Sequence, residues 1–123
     1  MTHKALILFA HGARAASWAE PFERLQKLTQ ERLPETRVEL AFLELMQPQL
    51  PRLVDDLVDQ GIQDIVVTPI FLGQGGHVLR DLPLMVTALR EKHSSVEIKQ
   101  VAAAGEDPGV LQAISDYCLR ALS

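Results

Sequence analysis

"IVVTPIFLGQGGHVLRDLP", residues 65–83, contains a strand, a turn and the start of a helix, and the architecture can be built from it. Its first eight residues are almost wholly apolar, as a strand buried on both faces requires. The run breaks into three glycines within four residues, Gly73, Gly75 and Gly76, and His77 follows at once. Beyond it, Val78, Leu82, Met85, Val86 and Leu89 make one apolar helix face. Pro69 is unwelcome in a central strand, so it predicts a bulge or an early end to the pairing.

The same unit recurs on either side. Strand-like runs at Ala5–Ala10, Val38–Leu43 and Val96–Ala102 join the run at Ile65–Leu72. Helical faces lie between them. Leu50, Leu53, Val54, Leu57 and Val58 form a full one, and Phe22, Leu25 and Leu28 a partial one. Val110, Leu111, Ile114, Cys118 and Leu122 form the last, entered through an Asp107 cap with Pro108 at the first helical position. Cys118 on that face predicts core packing rather than reactivity. Ser17 and Glu20 have capping-box spacing, although Pro21 places the regular helix later.

Alternating strands and helices predict an α/β fold: one three-layer domain, residues 1–123, with a four-stranded parallel sheet, a flavodoxin-like half. "ALILFA" and "IVVTPIFL" are apolar enough to be central, whereas "VELAFLE" and "VEIKQVA" carry charges at intervals, as edge strands can. Right-handed crossovers then give the order 2-1-3-4. The switch point falls between strands 1 and 3, where ligands favour the crevice at the carboxyl ends. Three chemical groups converge on that rim. His11 follows strand 1, His77 follows strand 3, and Glu44 ends strand 2.

Two imidazoles and a carboxylate suit a borderline divalent metal such as Co²⁺, Ni²⁺, Fe²⁺ or Zn²⁺. The glycines can supply positive φ and close backbone approach. A phosphate-binding loop is the competing use, but G-x-x-x-x-G-K-[ST] and G-x-G-x-x-G are both absent. Arg14 and Arg80 lie in the two rim loops and could meet carboxylates of an acidic ligand; solvated surface charges are the alternative. His3 and His93 read as surface residues, the latter suiting a helix C-terminus. Trp18 reads as core, with a wall for a planar ligand as the alternative.

Composition narrows the class. Apolar residues are 47% and charged residues 23%, ordinary for a soluble globular domain. No apolar stretch approaches the roughly 20 residues of a membrane span. The N-terminal apolar run is too short and badly flanked for a signal peptide. A net charge of −4 argues against nucleic acid as the main partner. One cysteine, with no internal disulfide available, fits a reducing cytoplasm.

"LILFAHGARAAS", "AFLELMQPQL" and "TPIFLGQGGHVLRDLP" together resemble the short class II tetrapyrrole chelatases. This is the CbiX-type group of sirohydrochlorin cobaltochelatases, with sirohydrochlorin ferrochelatases and nickel-inserting archaeal relatives close by. The resemblance runs along essentially the whole chain. It implies ATP-independent insertion of Co²⁺, or of Fe²⁺ or Ni²⁺, into sirohydrochlorin or a related tetrapyrrole, in cobalamin or siroheme biosynthesis. The metal is then substrate, and no cofactor is permanently bound. It implies that His11 and His77 bind the incoming metal and assist deprotonation, with Glu44 near metal and macrocycle. Longer family members hold two α/β halves, so it also implies a homodimer that assembles the cleft. Ala13 stands where many relatives have serine, which leaves the imidazole but puts a hydroxyl contact in doubt.

Two other functions share these residues. A non-catalytic metal or tetrapyrrole carrier would use the same ligands. A histidine phosphatase would need an arginine before its histidine, and Ala10 holds that place.

Overall fold

The computed structural model describes residues 3–73 and 75–123, without the side chains of His77 and Leu79. In chain order the elements are β1 (Lys4–Ala10), α1 (Glu20–Arg32), β2 (Arg37–Phe42), α2 (Leu50–Asp59), β3 (Asp64–Pro69), α3 (Gly76–Lys92), β4 (Glu97–Gln100) and α4 (Pro108–Ala121). Short 3-10 turns at Ala16–Ala19 and Ala104–Glu106 precede α1 and α4. The strands form one parallel sheet in the order β2-β1-β3-β4, the order expected from strand composition. Pro69 is the last residue of β3, opposite Phe9, so it ends the pairing early rather than bulging it. A ring nitrogen with no N–H cannot extend a ladder on both sides.

Alternation along the strands divides the side chains between two faces. Ile7, Phe9, Ile65, Val67 and Ile98 point to one face. Leu50, Leu53, Val54 and Leu57 of α2, and Val78, Leu82, Val86 and Leu89 of α3, cover it. Each such side chain contributes about 1.5–3 kcal/mol on leaving water. Leu8, Ala10, Val38, Leu40 and Phe42 point the other way, under Trp18, Phe22 and Leu25. Trp18 is half-buried and packs against this second cluster, 4.6 Å from the Phe22 ring centroid. The regular helix α1 begins at Glu20 with no side-chain cap, so the Ser17–Glu20 box is not used. Asp107 does cap α4, accepting from the Val110 N–H at 3.1 Å.

Four expectations change. Cys118 is exposed, not core, because α4 does not return to the sheet and packs chiefly against the turn that precedes it. Leu28 of α1 is also 60% exposed. With no helix laid over its second face, β3 alternates between buried and half-buried positions instead of being buried on both sides. His93 ends α3 as expected but is not a surface residue: its side chain is 13% exposed and its Nε2 lies 2.7 Å from Asp55 Oδ1.

Candidate functional site

His11 is the first residue past β1, and its position is set by what lies across the switch point. The Ile70 N–H donates to the Phe9 carbonyl at 2.8 Å, a single bond to β1 where the strand ends at Pro69. The next residue, Phe71, is buried and meets Phe9 edge-on at 5.9 Å. The half-buried His11 ring rests on this aromatic, 4.5 Å between centroids at 39°. Phe71 thus forms a shelf that limits how the imidazole can turn. The sequence reading passed over Phe71. An aromatic between the end of an apolar strand and a glycine turn was the signal available.

Glu44 reaches the same rim through backbone pairing. The Leu43 N–H donates to the Ala10 carbonyl at 2.9 Å, and the Glu44 N–H to the His11 carbonyl at 3.1 Å. Gly12 makes this possible. Its φ is +91°, and a Cβ built there would lie 1.9 Å from the Glu44 carbonyl oxygen. Leu45 then takes a φ of 65°, and the chain folds back so that the Phe42 N–H meets the Pro48 carbonyl at 2.9 Å. A left-handed leucine costs of order 1–3 kcal/mol, and such strain gathers at functional loops. The Glu44 side chain is exposed on the rim.

The glycine turn after β3 differs from expectation in one respect. None of Gly73, Gly75 and Gly76 has positive φ; Gly75 caps α3 in an extended conformation at φ −70°, ψ 155°. A Cβ on any of the three would meet no described atom within 4 Å. None of them uses the positive φ open to glycine, and toward the described atoms they leave open space. His77 lies in the first turn of α3, on the β3 side of the switch point, and its side chain is outside the described residues. Arg14 and Arg80 are both exposed.

Among the described residues, no three His, Cys, Asp or Glu side chains cluster tightly enough to hold a metal ion. His11 with Glu44 could supply two donors, and His77 is the residue whose backbone position could add a third. Neutral imidazole is a borderline ligand with a pKa that also suits proton transfer near neutral pH. A groove of about 660 Å³ lies elsewhere, along β2 and α1, with Glu20, Glu23 and Glu39 in its wall. Its acidic lining would repel a polycarboxylate ligand. Among the described residues no helix is long and apolar enough to cross a membrane.

The profile of the CbiX family matches residues 5–121. The chain belongs to the CbiX family. This CbiX chain is similar to a crystal structure assigned as a cobalamin (vitamin B12) biosynthesis CbiX protein from Marinobacter aquaeolei VT8. The two are 34% identical with a TM-score of 0.86, over 97% of both chains. It is 32% identical over 90 residues to the sirohydrochlorin cobaltochelatase of Methanocaldococcus jannaschii, covering 73% of this chain and 63% of that one. Its match spans 57–64% of that and two further cobaltochelatases. The fold, at 23% identity and a TM-score of 0.79, is shared with SirB from Bacillus subtilis subspecies spizizenii, a sirohydrochlorin chelatase solved in complex with cobalt. That likeness covers 94% of this chain and 49% of SirB.

Proposed function

We propose that this CbiX chain inserts a divalent metal, Co²⁺ first and Fe²⁺ or Ni²⁺ also, into sirohydrochlorin or a related tetrapyrrole without ATP. Residues 1–123 act as one chelatase domain, working as a homodimer in the cytoplasm. The observation that carries the reading is His11 held against Phe71 at the switch point, with the Glu44 segment hydrogen-bonded beside it. The names of the CbiX relatives support the same reaction.

Insertion has three requirements. The ion must shed water, the macrocycle must lie open on one face, and two pyrrole N–H protons must leave. His11 and His77 present the metal over the ring, with coordination positions free for transfer. Each neutral imidazole has one available lone pair, so it can take up a departing proton only after the metal has passed to the ring, while Glu44 assists removal or orients a histidine. The space around Gly73, Gly75 and Gly76 admits a wide, flat substrate, and Arg14 and Arg80 meet its carboxylates.

The test is a single-turnover reaction of sirohydrochlorin with Co²⁺, Fe²⁺ or Ni²⁺, followed by the absorbance of the free tetrapyrrole. The wild-type chain converts the spectrum. His11→Ala and His77→Ala each slow conversion by about 10²-fold or more, with circular dichroism unchanged. Full activity in both variants overturns the assignment. Metal binding with no spectral change of the tetrapyrrole makes the chain a carrier instead.

A further inference from the structure

Among the described residues the His11 ring makes no hydrogen bond. A histidine that binds a metal ordinarily has its other ring nitrogen bonded to a carboxylate, a carbonyl or water, which fixes the ring's orientation. Here the Phe71 ring stands in that place, 4.5 Å away between centroids. The His11 backbone is held from the other side, where its carbonyl accepts from the Glu44 N–H. The imidazole is therefore aimed by packing, and it is held only as firmly as Phe71 is.

Phe71 has little ladder to hold it. β3 stops at Pro69, and its last bond to β1 is made by Ile70. Over residues 71–73, the one backbone hydrogen bond among the described residues comes from elsewhere: the Gly105 N–H donates to the Phe71 carbonyl at 2.8 Å. Gly105 also lies flush against the next residue. A Cβ on it would be 1.8 Å from the Leu72 carbonyl oxygen, 2.6 Å from the carbonyl carbon and 2.7 Å from Cα. All three are backbone atoms, so no side-chain rotation relieves the contact, and only glycine permits the approach.

The turn that carries Gly105 is fixed at both ends. The Val101 N–H donates to the Val67 carbonyl at 3.1 Å, and Ala103 is buried in the core cluster that contains Phe71. The Glu106 and Asp107 N–H groups donate to the Ala103 and Ala104 carbonyls at 2.9 and 3.0 Å. Asp107 then caps α4. The turn is the firmer partner, and residues 71–73, which run into the glycine turn, are the ones that yield.

We infer that the turn Ala104–Glu106 positions His11: Gly105 fixes the Phe71 backbone, and the Phe71 ring takes the place of the hydrogen bond that would otherwise orient the imidazole. Phe71 and Gly105 are positioning residues that act on the metal through His11. This role deepens the reading of His11 as a metal ligand and rests on it.

The full chain is titrated with Co²⁺ alone. The His11 ring C–H resonances of the metal-free chain are followed by NMR at one fixed pH and assigned by their absence in His11→Ala. The Phe71 ring current is expected to displace them from those of the exposed His3. Phe71→Leu keeps an apolar group in the core; it should return them toward His3 and weaken Co²⁺ binding by about tenfold or more. Gly105→Ala should move both readouts in the same direction. The double variant should bind Co²⁺ within about twofold of Phe71→Leu, since both substitutions act through one contact. Gly109→Ala is the control: its Cβ meets only the Asp107 Oδ2, at 3.0 Å, so both readouts should stay at wild type. Wild-type His11 resonances that coincide with those of His3 overturn the inference without any variant. Unchanged Co²⁺ binding in Phe71→Leu, with binding lost in His11→Ala, overturns it and leaves the metal site standing. Undiminished Co²⁺ binding in His11→Ala overturns the metal reading and the positioning role with it. Additive losses from Phe71→Leu and Gly105→Ala, or a Gly109→Ala effect equal to that of Gly105→Ala, overturn the link through the turn.

Discussion

Gly12→Ala, compared with Gly61→Ala, tests whether the His11–Glu44 rim depends on close backbone approach. Both glycines have nearly the same conformation, with φ +91° and +92°. Alanine in that left-handed region costs about 1–2 kcal/mol at either position. Their surroundings differ. A Cβ at position 61 meets nothing within 4 Å, whereas one at position 12 lies 1.9 Å from the Glu44 carbonyl oxygen. Ordinary contact requires more than 3.0 Å, so the Glu44 strand end must retreat by roughly 1 Å or more. That displacement breaks the Glu44 N–H to His11 carbonyl hydrogen bond, at about 1 kcal/mol, and adds distortion of the Leu45 turn. The expected cost is about 3–4 kcal/mol for Gly12→Ala and about 1–2 kcal/mol for Gly61→Ala. At about 4 °C per kcal/mol for a domain of this size, Tm falls by about 12–16 °C in the first and about 4–8 °C in the second. The assay is urea and thermal denaturation at one fixed protein concentration, with metal insertion measured on the folded fraction. Equal losses for the two variants would show that the clash at Glu44 relaxes freely. Full insertion activity in Gly12→Ala would show that the His11–Glu44 spacing does not matter to the site.

Two further outcomes follow from the same geometry. Gly75→Ala has open space and φ −70°, so stability should change by less than about 1 kcal/mol while KM for the tetrapyrrole rises; an unchanged KM would remove the clearance role. Asp55 accepts from Lys92 Nζ at 2.8 Å and faces His93 Nε2 at 2.7 Å, and chiefly the Lys92 bond holds its carboxyl below the ordinary 3.8. A depressed folded-state value stabilises above the unfolded value and is lost as the pH falls through the folded one. Asp55→Asn should therefore cost up to about 1 kcal/mol at neutral pH, and the difference from wild type should narrow as the pH falls through the folded value; a gap that does not narrow in acid would refute the pairing.

The strands, their order and the helices over the first sheet face were legible from side-chain periodicity alone, because each depends on which residues avoid water. Pro69 could be placed at a strand end for the same local reason. His11 could be assigned to the rim from strand order alone. The glycines were only half legible. Gly73, Gly75 and Gly76 suggested backbone freedom that the turn does not use, while Gly12, unremarked, is the one whose missing Cβ admits the Glu44 strand end. His93 was misplaced because its partner, Asp55, lies on another helix.

What the sequence by itself determined is the set of apolar faces and the sheet order that they imply, since amphipathicity is a property of each segment. Only the tertiary structure decided what each face meets. The stripe on α4 was visible as a stripe, and nothing in its spacing says that the turn at Ala104–Glu106 carries it away from its own sheet. Phe71 became the shelf under His11 only when β1 and β3 were laid side by side. Periodicity reports that a surface must be covered, and contact across the fold decides what covers it.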